Sequence, residues 1–405
     1  MQRPDGFPFF SSGDVIIKSN LATSINQTMR LHSQLLMRHS TYFTRIIENE
    51  PKDTTASWHA FTLEDQNGKV GLIYQGRYDR ESPLPSDAQP CSTPSRDGVK
   101  IKLEGEASED TPEVVPNPFK SYVQVLALFY NIQISTLNTS IDNTLILSEQ
   151  IAKISRELEC VQLVRPPLAK VLTDYRHELF LAIKNDPIRW LKLGETLENK
   201  AIYAECLVHL VGAYPKLPWP SRVGAWASLS LELRQLIKKK NQAIEQLRTQ
   251  IERDLLAVSL PYGNANRPLD PTQPDQRETW LVVAVFRDYL AQQINELDLD
   301  YNRNAVLDRG IFFRNLAKGA FEPLDGERVR KVCHGFMRAE WKDFSDDLHK
   351  LKEYAAKAAS DLAINQLMID PDTHEVGYLT CVKVTNEDFP WLVAQRTLGG
   401  SSSAE

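Results

Sequence analysis

Strand-like and helix-like patterns follow one another closely over the first 80 residues of this 405-residue chain. A β-branched run comes directly after Gly13-Asp14, which is typical of a strand. Residues 30–47 place apolar side chains at mostly three- and four-residue steps, which predicts an amphipathic helix. Alternation of large apolar with small or polar residues predicts further strands, and the strand candidates are 14–18, 58–63 and 70–74.

Residues 79–118 differ in composition, with seven prolines among Ser, Asp and Glu residues. Such a stretch buries little apolar surface, and we predict that it is a disordered insertion. Alternation at 99–103 gives one strand candidate inside it. Helical periodicity resumes at once with 119–130, which is why we place the insertion inside the first domain.

Helical periodicity covers most of the chain beyond the insertion. The segment 222–258 spaces its apolar residues either as a short coiled-coil seam or as a helix packed on its own protein, and the second interpretation is favoured. Alternation near the C-terminus predicts a β-hairpin of 364–369 and 376–384. The predicted helices are 119–130, 141–160, 168–183, 187–211, 222–258, 278–297, 326–338 and 341–363.

The predicted fold class is α+β, with an N-terminal α/β domain followed by a mainly α-helical region that ends in a β-hairpin. Proline-rich breaks at 214–220 and 261–274 interrupt the helical region. The predicted division is a domain at 12–165, a helical extension at 166–258, a helical C-terminal region at 275–398 and a flexible tail at 399–405.

Charge and cysteine content favour some classes of protein over others. The net charge is -6 and the isoelectric point about 5.9, so nucleic acid is not expected as a general partner. No stretch approaches the ~20 apolar residues that span a bilayer, and the first residues show no signal-peptide pattern. The five cysteines are scattered singly, which favours reduced thiols. We therefore expect a protein of the cytoplasm, the nucleus or both, without membrane contact.

Four motifs occur in a defined order: Asp14-Val15, then His32 with Leu35-Leu36, then Ser40 with Phe43, and finally Val125–Tyr130. Their order and spacing resemble the BTB/POZ family, whose domain is a protein-interaction fold. The resemblance covers residues 12 to about 165. The segment 186–212 is similar to the helical extension of uncharacterised BTB proteins of filamentous fungi, a group in which function is mostly inferred from the fold.

The resemblance implies a non-enzymatic scaffold or adaptor that binds protein partners. BTB domains bind through apolar helix faces and strand edges. A cullin ubiquitin ligase is one implied partner, although 131–141 lacks the hydrophobic-x-Glu motif of cullin adaptors. A homodimer is another, but a strand-exchanged form is not expected because only about a dozen residues precede Asp14. The candidate interaction residues are Leu31, Leu35, Phe43 and Tyr130.

Side chains that could carry chemistry occur singly or in incomplete sets. His32 lies among leucines, which favours a structural role over catalysis. Cys206 and His209 are three residues apart on one helix face, but no second pair is near them. The run Asp298-x-Asp300-x-Asn302 has Arg303 where a calcium loop needs glycine. We therefore predict no catalytic, cofactor-binding or metal-binding residues.

Two other functions remain open at this point. The first is a BTB-type transcription-associated regulator, which is less favoured because the chain has no zinc finger or basic recognition helix. The second, still less favoured, is an unrecognised enzyme in the helical half, with Glu205, His209 and Asp174 as its candidate residues.

Overall fold

The computed structural model divides the chain into two compact units. The first comprises Met1–Leu179 with Thr196–Asn199, and the second comprises Phe180–Glu195 with Lys200–Glu405. The residues that the structure describes are 6–22, 24, 27–49, 57–79, 117–134, 140–219, 222–263, 267–298, 304–319, 331, 334 and 341–399. None of the helices in these ranges is long and apolar enough to cross a membrane.

A four-stranded sheet lies in the first unit, in the order β2-β1-β3-β4. The central pair, β1 and β3, is parallel, and both outer pairs are antiparallel. Asn67 and Gly68 join β3 to β4 with φ of 57° and 80°, the left-handed conformation that a two-residue hairpin needs. The strands are Val15–Ser19, Thr28–Leu31, Ser57–Gln66 and Lys69–Asp79.

Two short helices, α1 (Ser33–His39) and α2 (Thr41–Glu48), stand where the periodicity of 30–47 predicted one helix. Ser40 separates them because its backbone is extended, with φ of -140°. Its Oγ accepts a hydrogen bond from the Phe43 amide at 3.2 Å and donates one to the Leu158 carbonyl at 2.5 Å. Ser40 therefore begins α2 and ties the helix pair to the later part of the unit.

Aromatic rings form the centre of the first unit's core. The rings of Phe43 and Phe61 lie 5.4 Å apart, and Phe129 packs edge-on against Phe43. The sheet and the helices therefore share one apolar interior. Further helices complete the unit, and α6 continues into the second: α3 (Pro118–Leu128), α4 (Ile141–Glu157), α5 (Val161–Thr173) and α6 (His177–Asn185).

The second unit is helical and is built around one almost wholly buried helix, α8 (Lys200–Ala213). Apolar residues occur all round this helix, which is the pattern of a helix surrounded by others. Its neighbours in the chain are α7 (Pro187–Thr196), α9 (Arg222–Ala227), α10 (Leu231–Leu256), α11 (Arg277–Glu296), α12 (Ala305–Ala317), α13 (Trp341–Ala363) and α14 (Pro390–Gly399).

Several predicted elements differ from those observed. The segments 187–211 and 222–258 are each two helices rather than one. Helix α12 was not predicted, because its buried face contains Arg309, Gly310 and Arg314 and so lacks a simple apolar period. The strand candidate at 99–103, nearly all of the insertion at 79–118 and nearly all of the predicted helix 326–338 lie outside the described residues.

The predicted C-terminal β-hairpin is wrong. Residues 364–389, here called the strap, contain no strand and only a short 3₁₀ turn at Asn386–Asp388. One main-chain hydrogen bond joins the two segments predicted as strands, from the Gln366 amide to the Thr380 carbonyl. Apolar alternation in the strap reflects burial against helices, and it does not reflect pairing with a second strand.

Helix side chains take the hydrogen bonds that a partner strand would have taken. Arg314 donates to the Val376 carbonyl at 2.6 Å and to the Tyr378 carbonyl at 3.3 Å. Glu205 accepts the Met368 amide with both carboxylate oxygens, at 2.9 and 3.2 Å. The strap can therefore be buried without a strand ladder, because its polar main chain is satisfied by long side chains.

Glycines let the strap approach two helices at main-chain distance. A methyl group at Gly310 on α12 would lie 2.0 Å from the Tyr378 carbonyl oxygen. A methyl group at Gly212 on α8 would lie 2.1 Å from the Leu379 carbonyl oxygen. Neither distance is possible between real atoms, so both positions require glycine for a steric reason.

Replacing Gly310→Ala should therefore destabilise the protein by about 3 kcal/mol or more, because the strap must move away from α12. Urea unfolding measures this change. The matched control is Gly224→Ala on α9, where nothing lies within 4 Å of the added methyl group. That change should be neutral or stabilising by up to about 1 kcal/mol. Equal effects of the two substitutions would contradict the close packing of the strap.

Candidate functional site

The four candidate interaction residues occupy two different environments. Leu31 and Phe43 are fully buried in the first unit. Leu35 and Tyr130 are half-buried and keep part of their side chains on the surface. An interaction role for the four residues stays a prediction. Of the four, Leu35 and Tyr130 have side chains that are partly exposed and could contact another protein.

Asp14 fixes the beginning of α1 next to this surface. Its Oδ1 accepts the Ser33 amide at 2.7 Å, and its Oδ2 accepts the Ser33 hydroxyl at 2.5 Å. The N-cap residue His32 makes no side-chain cap bond, so the cap comes from the residue that precedes β1. A carboxylate at a helix N-terminus also interacts favourably with the helix dipole. Asp14 thus sets the position of α1 relative to the sheet.

Tyr130 and His32 meet beside this cap. The Tyr130 hydroxyl accepts the His32 main-chain amide at 2.8 Å and lies 3.3 Å from Nδ1 of the same residue. Nε2 of His32 lies 2.9 Å from the Ser12 hydroxyl. Burial raises the pKa of Tyr130, so the phenol stays protonated. Both ring nitrogens of His32 have partners, which agrees with a structural histidine.

Residues 6–10, here called the N-terminal arm, cover the outer edge of β2. Arg30 donates its amide to the Pro8 carbonyl at 2.9 Å, and the Phe10 amide donates to the Arg30 carbonyl at 3.0 Å. Phe10 stacks on Tyr130 with ring centroids 4.8 Å apart, and Phe7 lies 5.6 Å from the same ring. The surface around Tyr130 is therefore already occupied by aromatic residues of this chain.

A second polar cluster lies inside the helical unit. His209 contacts the Tyr378 hydroxyl through Nδ1 at 2.5 Å, whereas its Nε2 is buried without a hydrogen-bond partner. The Glu205 Oε1 lies 3.9 Å from that nitrogen. Burial raises the pKa of Glu205 to about 7. Burial and the nearby Lys184 lower the pKa of His209 to about 3, so the imidazole is neutral at neutral pH.

This cluster has little access to solvent. The side chains of Glu205 and His209 are 2% and 0% exposed. A cavity of about 440 Å³ opens near the strap, but its lining includes neither of them. Asp174, the third candidate enzyme residue, belongs to the first unit, whereas Glu205 and His209 belong to the second. The arrangement binds the strap through the Met368 amide.

The cavity near the strap has internally balanced charges. Arg314 and Lys318 both pair with Asp372, and the Arg314 Nε lies 2.6 Å from the Asp372 Oδ1. Asp370 accepts bonds from Thr373 and from the Asp372 amide, which lowers the pKa of its carboxyl. A charged ligand would have to break these pairs, so the cavity is a weak candidate for ligand binding.

Metal ligands do not converge in the part of the chain that the structure describes, where no group of three or more His, Cys, Asp or Glu side chains could hold an ion. Burial raises the pKa of the Cys206 thiol well above its usual value, which disfavours the thiolate that a metal needs. Of the calcium-loop candidate 298–302, all but Asp298 lies outside the described residues.

Sequence reasoning missed the N-terminal arm as part of the site. A signal was present, since Phe7, Phe9 and Phe10 stand within four residues of one another next to a proline. These four residues are too few to show the period of a strand or a helix, so hydrophobic periodicity does not reveal them.

Comparison with known proteins gives no relative for this chain. No protein-family model, curated protein or solved structure matches it. What the site does is therefore inferred from its contacts, burial and charge.

Removing the Asp14 carboxylate should lower the free energy of unfolding of the first unit by about 2 kcal/mol, because the Ser33 amide and hydroxyl lose their acceptor. Thermal unfolding of Asp14→Ala measures the effect. The control is Asp142→Ala in the exposed first turn of α4, which should cost only a few tenths of a kcal/mol, as expected for a surface dipole interaction. If both variants melt together, Asp14 does not hold α1.

Glu205 should make stability depend on pH. Its pKa is about 7 in the folded protein against an ordinary 4.5, so its contribution is full below about pH 4.5 and is lost as pH rises through about 7. His209 acts in the opposite direction, since its folded pKa of about 3 lies below its ordinary 6.5. The difference in free energy of unfolding between the unmodified protein and Glu205→Gln therefore isolates Glu205.

We expect this difference to fall by about 3 kcal/mol between about pH 4 and pH 8. Urea unfolding at a series of pH values measures it, with Glu353→Gln as the control because Glu353 is 63% exposed. The control should follow the unmodified protein at every pH. A constant difference for Glu205→Gln would show that its carboxyl titrates normally.

Proposed function

We propose that this protein is a non-enzymatic protein–protein interaction scaffold or adaptor whose first unit acts as a BTB/POZ-like module. The order of its elements supports the proposal. The four motifs of the resemblance follow in the order Asp14-Val15, His32 with Leu35-Leu36, Ser40 with Phe43, and Val125–Tyr130. The structure has β1, α1, α2 and the end of α3 in that same order.

The contacts of the motif residues are the observation that carries the proposal. Asp14 caps α1, Ser40 caps α2, and Phe43 lies at the centre of the core. These three motif residues thus position the helix pair on the sheet. A module built in this way presents one side of α1 to solvent, where a partner could bury it, whereas the Tyr130 ring is partly covered by the N-terminal arm.

The proposed setting is the cytoplasm or the nucleus. All three cysteines that the structure describes, Cys160, Cys206 and Cys381, are free thiols. Burial raises the pKa of the Cys160 thiol to about 12 and that of Cys381 to about 11, so both resist oxidation. Free, inert thiols agree with a reducing compartment.

The partner class follows from the surface that remains accessible. Leu35 is an apolar, half-buried side chain on the short helix α1, and such a side chain suits an apolar anchor of a protein partner rather than a small polar ligand. A cullin is the specific partner that the BTB/POZ resemblance suggests, which would make the protein a ubiquitin-ligase adaptor.

The test compares partners of the full-length chain with those of Leu35→Glu, using affinity purification and quantitative mass spectrometry. The matched control is Gln34→Glu, which adds the same charge at the neighbouring exposed position of α1. We expect at least about tenfold loss of a reproducible partner set for Leu35→Glu and retention for Gln34→Glu, since a buried unpaired charge costs more than 1.4 kcal/mol.

Two outcomes of this comparison separate the possibilities. A cullin among the partners lost with Leu35→Glu would identify the protein as a ligase adaptor. An identical partner set for both variants, with thermal unfolding showing that each is folded, would contradict a binding role for this surface.

A further inference from the structure

We propose that the edge of β2 together with Tyr130 is a docking groove for a short aromatic turn of the type aromatic–Pro–aromatic–aromatic, and that the N-terminal arm fills this groove in cis. The occupant in trans is a partner protein that carries such a turn. This inference rests on the proposed function, because it names the chemistry by which the interaction module would recognise one partner.

The arm shows the shape of the bound ligand. Gly6 and Phe9 exchange two main-chain hydrogen bonds, at 3.1 and 2.7 Å, so residues 6–9 form a tight turn. This turn directs the Pro8 carbonyl to the Arg30 amide, and the Phe10 amide donates to the Arg30 carbonyl. Recognition at this edge is thus made by main-chain groups of β2, which any turn of the same shape could satisfy.

Aromatic rings provide the selective part of the contact. Phe10 stacks on Tyr130 with an interplanar angle of 18° and lies 4.9 Å from the ring of His32. Arg30 places its guanidinium 5.9 Å from the centre of the Phe9 ring. The groove therefore offers one ring for stacking and one cation for an aromatic face, which favours aromatic side chains over aliphatic ones.

The groove is fixed independently of the arm. Tyr130 is held by the His32 amide, as described above. Arg30 donates from Nε to the Gly13 carbonyl at 2.9 Å, and its guanidinium lies 4.7 Å from the ring centre of Trp58 on β3. Both recognition side chains are thus anchored to the sheet and to α1, so they are preorganised to receive a ligand.

The arm itself lies at the surface of the unit. Gly6 and the three phenylalanines of the arm are half-buried, and Pro8 alone among its residues is buried. Half-buried surface segments open locally at a lower free energy than the core does. A partner turn with further contacts of its own can therefore displace the arm while the sheet remains folded.

A partner turn is favoured over the arm of a second copy as the trans occupant. Residues 11–14 link the arm directly to β1, so its effective concentration at its own groove is of the order of millimolar. The arm of a second copy has the same affinity for the groove, so below millimolar concentrations the cis arm occupies the groove instead. A different protein can displace the cis arm if it makes additional contacts.

The experiment uses the full-length chain and a fluorescent peptide with the sequence of residues 6–12, Gly-Phe-Pro-Phe-Phe-Ser-Ser. Fluorescence anisotropy measures its binding to the unmodified protein, to Phe7→Ala/Phe10→Ala and to the same double variant with Tyr130→Ala added. Emptying the groove should tighten peptide binding at least about tenfold, because the cis competitor is weakened. Adding Tyr130→Ala should abolish that gain.

A conservative variant allows the role of the Tyr130 ring to be tested even if Tyr130→Ala disturbs folding. Tyr130→Phe in the same double-variant background retains the stacking ring, so it should retain most of the peptide binding. Thermal unfolding identifies variants that remain folded, and only these are compared.

Three results would overturn the proposal. The first is no peptide binding to a folded Phe7→Ala/Phe10→Ala variant, and the second is equal binding with and without the Tyr130 ring. The third is a dimer of the unmodified protein in light scattering that Phe10→Ala dissociates, since the groove would then serve a second copy. If the peptide fails while Leu35→Glu still removes partners, the docking groove is wrong and the interaction function stands.

Discussion

The main-chain contact between the strap and helices α8 and α12 is the constraint on which the second unit depends. Gly212 and Gly310 remove the side chains that would hold an irregular segment away from the helices. The strap is then buried against the helices without a partner strand. Its main-chain N–H and C=O groups therefore need other hydrogen-bond partners. Arg314 and Glu205 meet this requirement from the two helices. The glycines and the long polar side chains thus act together to bury the strap.

The first unit is organised by shorter-range interactions. Asp14 and Ser40 each satisfy the beginning of a helix, and each also connects that helix to a segment distant in the chain or across the sheet. Polar caps of this kind specify the position of the helix pair, while the rings around Phe43 lie at the centre of the apolar core. Position and stability are therefore provided by different residues.

The mixed α+β class, three of the four strands of the sheet and most helices could be predicted from periodicity, because amphipathic faces leave a direct trace in the sequence. Helix α12 and the strap could not. The buried Arg309 and Arg314 resemble surface residues until their partners are known, and the alternation at 376–384 is the same for a strand and for a segment buried between helices. Phe43 and Leu31 were candidate interaction residues, but both are fully buried. An apolar pattern in the sequence does not show which of its residues remain exposed after folding.

The long separation between Glu205 and Met368 has a consequence for how the chain is made. The two residues are 163 positions apart, so α8 emerges from the ribosome well before the strap that covers it. At the usual ~5–20 residues per second, the delay is roughly 10 to 30 seconds. During that interval the most apolar helix of the second unit lacks its cover, whereas the sheet of the first unit already has its full sequence. The nascent chain therefore has a period in which the face of α8 that the strap later covers is exposed.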